Sequence, residues 1–224
     1  MWIDPACSRD ARLRPTPLAS RCGPRVNRWI RHGATDMRGI NRSIATTTIF
    51  MALSLAAAGL ARAEIKDVSP SGFTIENSQV VPVDAMTAWN ALVEDVGRWW
   101  PKDHTWWGDA SKLSIQPSAG GCFCEIDGAR QALHMTVTFV DPGKTLRMTG
   151  GLGPLQGMGL SGALEWRFAP AGNGTRITLY YRAGGYSPDD LGKFVPVVDR
   201  VQGGQLGGLA DHLRASAKAS AAPR

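Results

Sequence analysis

Apolar and polar positions change their period three times between Phe73 and Ala217, and each change marks a different kind of element. Phe73 to Val81 (FTIENSQVV) shows partial alternation, which predicts a strand. Pro82 and Asp84 then open a helix from about Ala85 to Val96, with Asp84 as the N-cap. Its stripe is Met86, Trp89, Leu92, Val93 and Val96, at spacings of three and four, and Pro101 ends any continuation. From Lys112 the period returns to two. Short strands are predicted at Leu113 to Gln116, Cys122 to Asp127, Leu133 to Phe139, Leu146 to Met148, Leu164 to Phe168 and Ile177 to Tyr181. Asp127-Gly128, Asp141-Pro142-Gly143-Lys144 and Ala171-Gly172-Asn173-Gly174 are the turns between them. A helical pattern returns from about Pro188 to Ala217. Its apolar face is Phe194, Val197, Val198, Val201, Leu206, Leu209 and Leu213, and Asp189 and Asp190 suit its positive end. Glycines at 203, 204, 207 and 208 either weaken this helix or let a neighbour approach it closely.

The order is therefore strand, helix, five or six consecutive antiparallel strands, long helix. A meander with one apolar face needs a cover, and only the last helix is long enough to supply it. The expected fold class is α+β, with a curved antiparallel sheet wrapped around the C-terminal helix over residues 73–217, preceded by a linker (64–72) and followed by a fraying tail (218–224).

Ahead of this domain lies the one long apolar run, Ile44 to Leu60, with Arg38 and Arg42 before it and Ala61-Arg62-Ala63 after it. Basic, apolar and small-residue segments in that order read as a cleaved signal peptide over residues 37–63, with an uncleaved N-terminal anchor as the alternative. The run is short of the ~20 apolar residues that a spanning helix needs. Met37 stands directly before it, so residues 1–36, rich in Arg and Pro, are expected to be a misassigned and disordered upstream extension. The net charge of +6 changes meaning here. Met1 to Ala63 holds ten arginines and three acids, whereas Glu64 to Arg224 holds fifteen basic residues and sixteen acids. A near-neutral mature domain lacks the footprint of a nucleic-acid binder or of a polybasic membrane patch. The expected location is periplasmic or secreted, with no membrane attachment after cleavage. Of the four cysteines, Cys7 and Cys22 lie in the leader. A bridge between Cys122 and Cys124 is expected to strain the backbone, so the domain should be held by its core alone.

Trp99 to Trp107 (WWPKDHTWW) places four Trp and one His in nine residues. Indoles suit a pocket rim, with His104 as a polar handle, and they equally suit a plug at one end of the sheet. Trp99 and Trp100 lean to the plug, while Trp106 and Trp107 stand even between the two. His134 is out of phase with Leu133, Met135 and Val137 and is expected to face away from the interior. Glu125 and Glu165 are expected as solvated strand residues. Tyr181 is expected inside, where its hydroxyl needs a partner. Gly150 to Gly162 lacks a phosphate-loop pattern and reads as a flap or as a packed connection. No spacing of His and Cys calls for a metal or cofactor.

Three stretches carry a family likeness: Val81-Pro82-Val83-Asp84 leading into the Trp89 helix, Gly120-Gly121-Cys122-Phe123-Cys124-Glu125 with Gly128, and Val140-Asp141-Pro142-Gly143-Lys144-Thr145-Leu146. With the strand pair from Gly162 to Tyr181, they resemble the START-like (Bet v 1-like, SRPBCC) superfamily, in the branch related to the C-terminal domain of the activator of Hsp90 ATPase. The likeness spans about Phe73 to Leu213. It implies a helix-grip fold with a hydrophobic pocket between sheet and C-terminal helix, in a superfamily of lipid carriers, aromatic cyclases and dehydratases, hormone receptors and co-chaperones. The export signal departs from the co-chaperone setting. The leading expectation is an exported binding protein for a small hydrophobic or aromatic molecule, held by His104, Trp106, Trp107, Met135, Met148, Trp166, Tyr181, Phe194 and Val198. The alternatives are a cyclase- or dehydratase-type enzyme, with His104, Tyr181 or Glu125 moving protons, and a protein-interaction module presenting exposed Trp residues.

Overall fold

The computed structural model describes residues 62–188 and 190–221. The expected upstream extension, nearly all of the expected signal peptide, Asp189 and residues 222–224 lie outside the described residues.

Eight strands form one antiparallel sheet: β1 (Arg62–Ser69), β2 (Gly72–Val81), β3 (Leu113–Ile115), β4 (Cys122–Asp127), β5 (Arg130–Asp141), β6 (Thr145–Gly150), β7 (Ser161–Ala171) and β8 (Gly174–Gly184). Their spatial order is β1-β2-β8-β7-β6-β5-β4-β3. The meander therefore has six strands, and β8 closes it onto β2. Residues 64–72 are not the expected linker, because Glu64 to Ser69 belong to β1 and pair with β2. Between β2 and β3 run α1 (Ala85–Glu94), α2 (Val96–Trp99) and two 3-10 turns. Asp84 caps α1 as its position predicts, its carboxylate accepting from the backbone N–H of Met86 and Thr87 at 2.9 Å. A four-residue helix, α3 (Pro154–Gly157), sits in the β6–β7 connection, and α4 (Leu191–Ala221) closes the chain.

This is a helix-grip arrangement. Helix α4 packs against β1 and β2 and against α1 and α2. It begins behind Asp190, which accepts from the N–H of Gly192 at 2.9 Å. It also runs beyond the expected fraying point to Ala221, where alanines and Lys218 are good helix formers and Ser216 satisfies its hydroxyl on the His212 carbonyl at 3.0 Å. On β2 the inward Asn77 and Gln79 clamp the helix. Asn77 donates to Asp199 (2.9 Å) and Gln79 accepts from Arg214 (2.9 Å). Two glycines of α4, Gly204 and Gly208, serve close approach. A Cβ on Gly208 would lie 2.3 Å from the Trp99 carbonyl oxygen. A Cβ on Gly204 would lie 3.2 Å from the His104 ring.

Cys122 and Cys124 are joined in a disulfide, contrary to expectation. Residues i and i+2 share one side of a strand, and their Cα atoms are 5.5 Å apart, inside the roughly 4.4–6.8 Å that bridges span.

Candidate functional site

Two bulges on β5 decide which side chains face inward. Phe123 pairs with Met135 and Cys124 with Leu133, so His134 is an extra residue in the ladder. Val137 pairs with Met148 and Phe139 with Arg147, so Thr138 is a second one. Each bulge resets the alternation. Leu133 (49% exposed) and Phe139 (44%) turn outward, while His134 (6%) turns inward beside Met135. The simple period had assigned all three the other way.

On the neighbouring strand Glu125 is fully buried, not the solvated residue expected. Its carboxylate accepts from the backbone N–H of Trp106 (3.0 and 3.1 Å) and of Trp107 (3.2 Å). His134 Nε2 lies 3.3 Å from Glu125 Oε2. Burial draws the His134 pKa below its ordinary value, and the Glu125 carboxylate opposes this only in part, so the imidazole is neutral near pH 7. With Nε2 donating to the carboxylate, Nδ1 keeps its lone pair.

These residues sit under a cavity of about 360 Å³, at the small end of the roughly 300–1,000 Å³ typical of ligand pockets. Three segments enclose it: the Trp100 to Trp106 loop, Leu152 to Leu155 of the β6–β7 connection, and the α4 face from Phe194 to Gln205. His134 forms part of its wall. Trp106 (48% exposed) and Val197 (45%) stand at the mouth. The loop is folded on itself, Trp100 Nε1 donating to the His104 carbonyl at 3.0 Å. The β6–β7 connection is pinned from below: Tyr181 Oη donates to the Gly150 carbonyl (3.0 Å) and accepts from the Leu152 N–H (3.4 Å). Burial raises the Tyr181 pKa to about 12.

Of the residues anticipated from sequence, His104, Trp106, Phe194 and Val198 come together on this cavity. Met135, Met148, Trp166 and Tyr181 are buried in the packed core. The Tyr181 hydroxyl is occupied by backbone rather than turned to a ligand. Trp107 lies against the Arg130 guanidinium, 5.3 Å from ring centre to Cζ. Trp99 is core, while Trp100 is both core and cavity wall. Its ring continues a file of aromatic contacts from Trp166 through Trp99 to Phe123 and His134, with centroids 5.2–5.9 Å apart. On the outer face Glu165 is held between Arg147 (2.6 Å) and Arg167 (2.5 Å).

Sequence reasoning missed two residues entirely. Gln202 (1% exposed) and Gln205 (3%) lie on the inner face of α4 and line the cavity. Both amide atoms of Gln202, Gln205 Oε1 and His104 Nδ1 are buried without a hydrogen-bond partner. The available signal was position: 198, 202, 205 and 209 form one helical stripe, with two amides set among Val198 and Leu209. Among the described residues no three of His, Cys, Asp and Glu gather as metal ligands, and no helix is long and apolar enough to cross a membrane.

The sequence model of a family described as polyketide cyclase / dehydrase and lipid transport matches residues 72–218. Solved structures with a similar fold include CalU16 from Micromonospora echinospora (17% identity, 70% of this chain and 84% of that one, TM-score 0.45). A protein from Rhodobacter sphaeroides is similar at 13% identity (70% and 99%, TM-score 0.47). The Aha1 dimer from Colwellia psychrerythraea is similar at 15% identity (63% and 96%, TM-score 0.43). No curated protein matches the chain.

Proposed function

On the premise that the chain belongs to the polyketide cyclase, dehydrase and lipid transport family, we propose that it is an exported protein that binds one small, largely hydrophobic or aromatic molecule. The observation that carries this reading is the cavity between the Trp100 to Trp106 loop and α4, walled mainly by apolar side chains. Its volume suits a small ring system better than a two-chain lipid. Trp100 and Trp106 offer aromatic surface, and Phe194 and Val198 offer apolar surface from the helix. Export is supported by the leader pattern of residues 37–63 and by the Cys122–Cys124 disulfide, a bond favoured in oxidising compartments. The test is native mass spectrometry and tryptophan quenching against a panel of aromatic compounds and single-chain lipids. Stoichiometric binding that is lost on Val198→Trp supports the proposal. No binding across the panel sinks it.

One observation favours the enzymatic alternative: a buried, neutral His134 whose Nε2 faces Glu125 at the cavity wall. In a dehydration, Nδ1 would take the proton from a carbon beside a carbonyl and return it to the departing hydroxyl, so that water leaves and the side chain ends unchanged. Turnover abolished by His134→Gln, with binding retained, would support that reading.

A further inference from the structure

Resting on the binding reading above, we infer that the ligand is a molecule without negative charge that carries a hydrogen-bond donor beside an acceptor on an aromatic body, such as an amide or a hydroxyl next to a carbonyl. The Gln202 side chain is 1% exposed and lines the cavity, and neither its Nε2 nor its Oε1 has a protein partner. A buried primary amide left alone is destabilising, and most such groups in folded proteins are paired. One helical turn away Gln205 Oε1 stands equally unpaired, and so does Nδ1 of His104, whose ring packs beside Gly204 of the same helix. Four unpaired polar atoms from two elements thus lie in the residues that wall one largely apolar space.

An amide that offers Nε2–H and Oε1 side by side is matched by a group presenting an acceptor and a donor at the same spacing. Pure hydrocarbon would leave all four atoms unpaired, so it is selected against. Negative charge is disfavoured as well. The ionisable groups among the described lining residues are Asp103, His104 and His134, and no Lys or Arg lines the cavity to neutralise an anion. An ionised carboxylate would enter beside Asp103 without a partner.

The experiment uses three probes of one shape: naphthalene, 2-naphthamide and 2-naphthoate. Their affinities are measured by calorimetry and by quenching of Trp100 and Trp106 in the mature chain, in Gln202→Leu and in Gln205→Leu. The expected result is that 2-naphthamide binds at least about tenfold more tightly than either other probe, and that Gln202→Leu removes that preference while naphthalene affinity stays within about threefold. Gln205→Leu should weaken the amide in the same sense, which keeps the test open should one variant misfold. Equal binding of all three probes, or an amide preference unchanged in both variants, overturns the inference and leaves the cavity as a plain apolar site whose amides are met by water. Binding of none of the probes overturns the binding reading itself, so the two failures are distinguishable.

Discussion

Glu125 is a carboxylate with no exposed surface, and what it holds is the backbone of the loop that carries His104 and Trp106. Removing it leaves two N–H groups without their acceptor, at about 1–3 kcal/mol each where they are shielded from water. Glu125→Leu should therefore lower unfolding free energy in urea by a few kcal/mol and speed amide exchange at Trp106 and Trp107. An unchanged exchange rate would show the loop to be held by other contacts. His134 gives a prediction with a definite sign. Its folded pKa lies below the ordinary 6.5, so between those values the unfolded chain binds more protons than the native one. Stability should then fall as pH drops below about 6.5, by at most about 1.4 kcal/mol per pH unit from this group. His134→Gln should flatten that part of the profile, read from urea midpoints between pH 7 and 5. Neither residue's role was legible in the sequence. Strict alternation sends His134 outward, and only the ladder bulge, invisible in the residue pattern, turns it in. His104, Trp106, Phe194 and Val198 line the cavity that the indole-rich loop and the apolar helix face suggested, although the same indoles equally suited a plug, whereas the two glutamines were hidden by their polarity.

At the scale of elements, the sequence pattern anticipated α1 and the six-strand meander well, because turn chemistry and period agreed at each. It missed β1, whose residues Glu64 to Ser69 mix charge with single apolar positions; only pairing with β2 makes them a strand. The glycines of α4 were ambiguous in sequence and are resolved by what touches them. At Gly208 a methyl group would meet the Trp99 carbonyl at 2.3 Å, so α4 and the end of α2 would have to separate. At Gly207 the nearest atom is Gln79 Nε2 at 3.8 Å, an ordinary contact. Gly208→Ala should destabilise by about 1–3 kcal/mol, the usual penalty of overpacking. Gly207→Ala should be neutral or stabilising by up to about 1 kcal/mol, the gain in helix propensity. Chemical denaturation of the pair checks this. Equal effects would mean that α4 does not dock on Trp99 as described.

For the whole molecule, the core and the cavity follow opposite rules. Most of the space between sheet and helices is filled by a continuous apolar cluster that includes Met135, Met148, Trp166 and Tyr181. The cavity lies at one end, where α4 faces the Trp loop and the β6–β7 connection. There the protein keeps two buried glutamines where leucines would pack, which is a stability sacrifice localised to a site. Gln202→Leu should consequently make the unliganded protein more stable, by about 1–3 kcal/mol, since it removes an unpaired buried amide and adds apolar contact. The same variant should respond less to ligand. A compound at a hundred times its Kd stabilises the native state by about 2.7 kcal/mol. In a domain of this size each kcal/mol moves Tm by about 2–4 °C, so the native protein should gain roughly 5–10 °C with an amide-bearing probe. The leucine variant should start higher and gain little. Thermal melts with and without 2-naphthamide read both quantities at once. A variant that starts no higher would mean that Gln202 is already satisfied in the free protein, and the case for a polar ligand would fail with it.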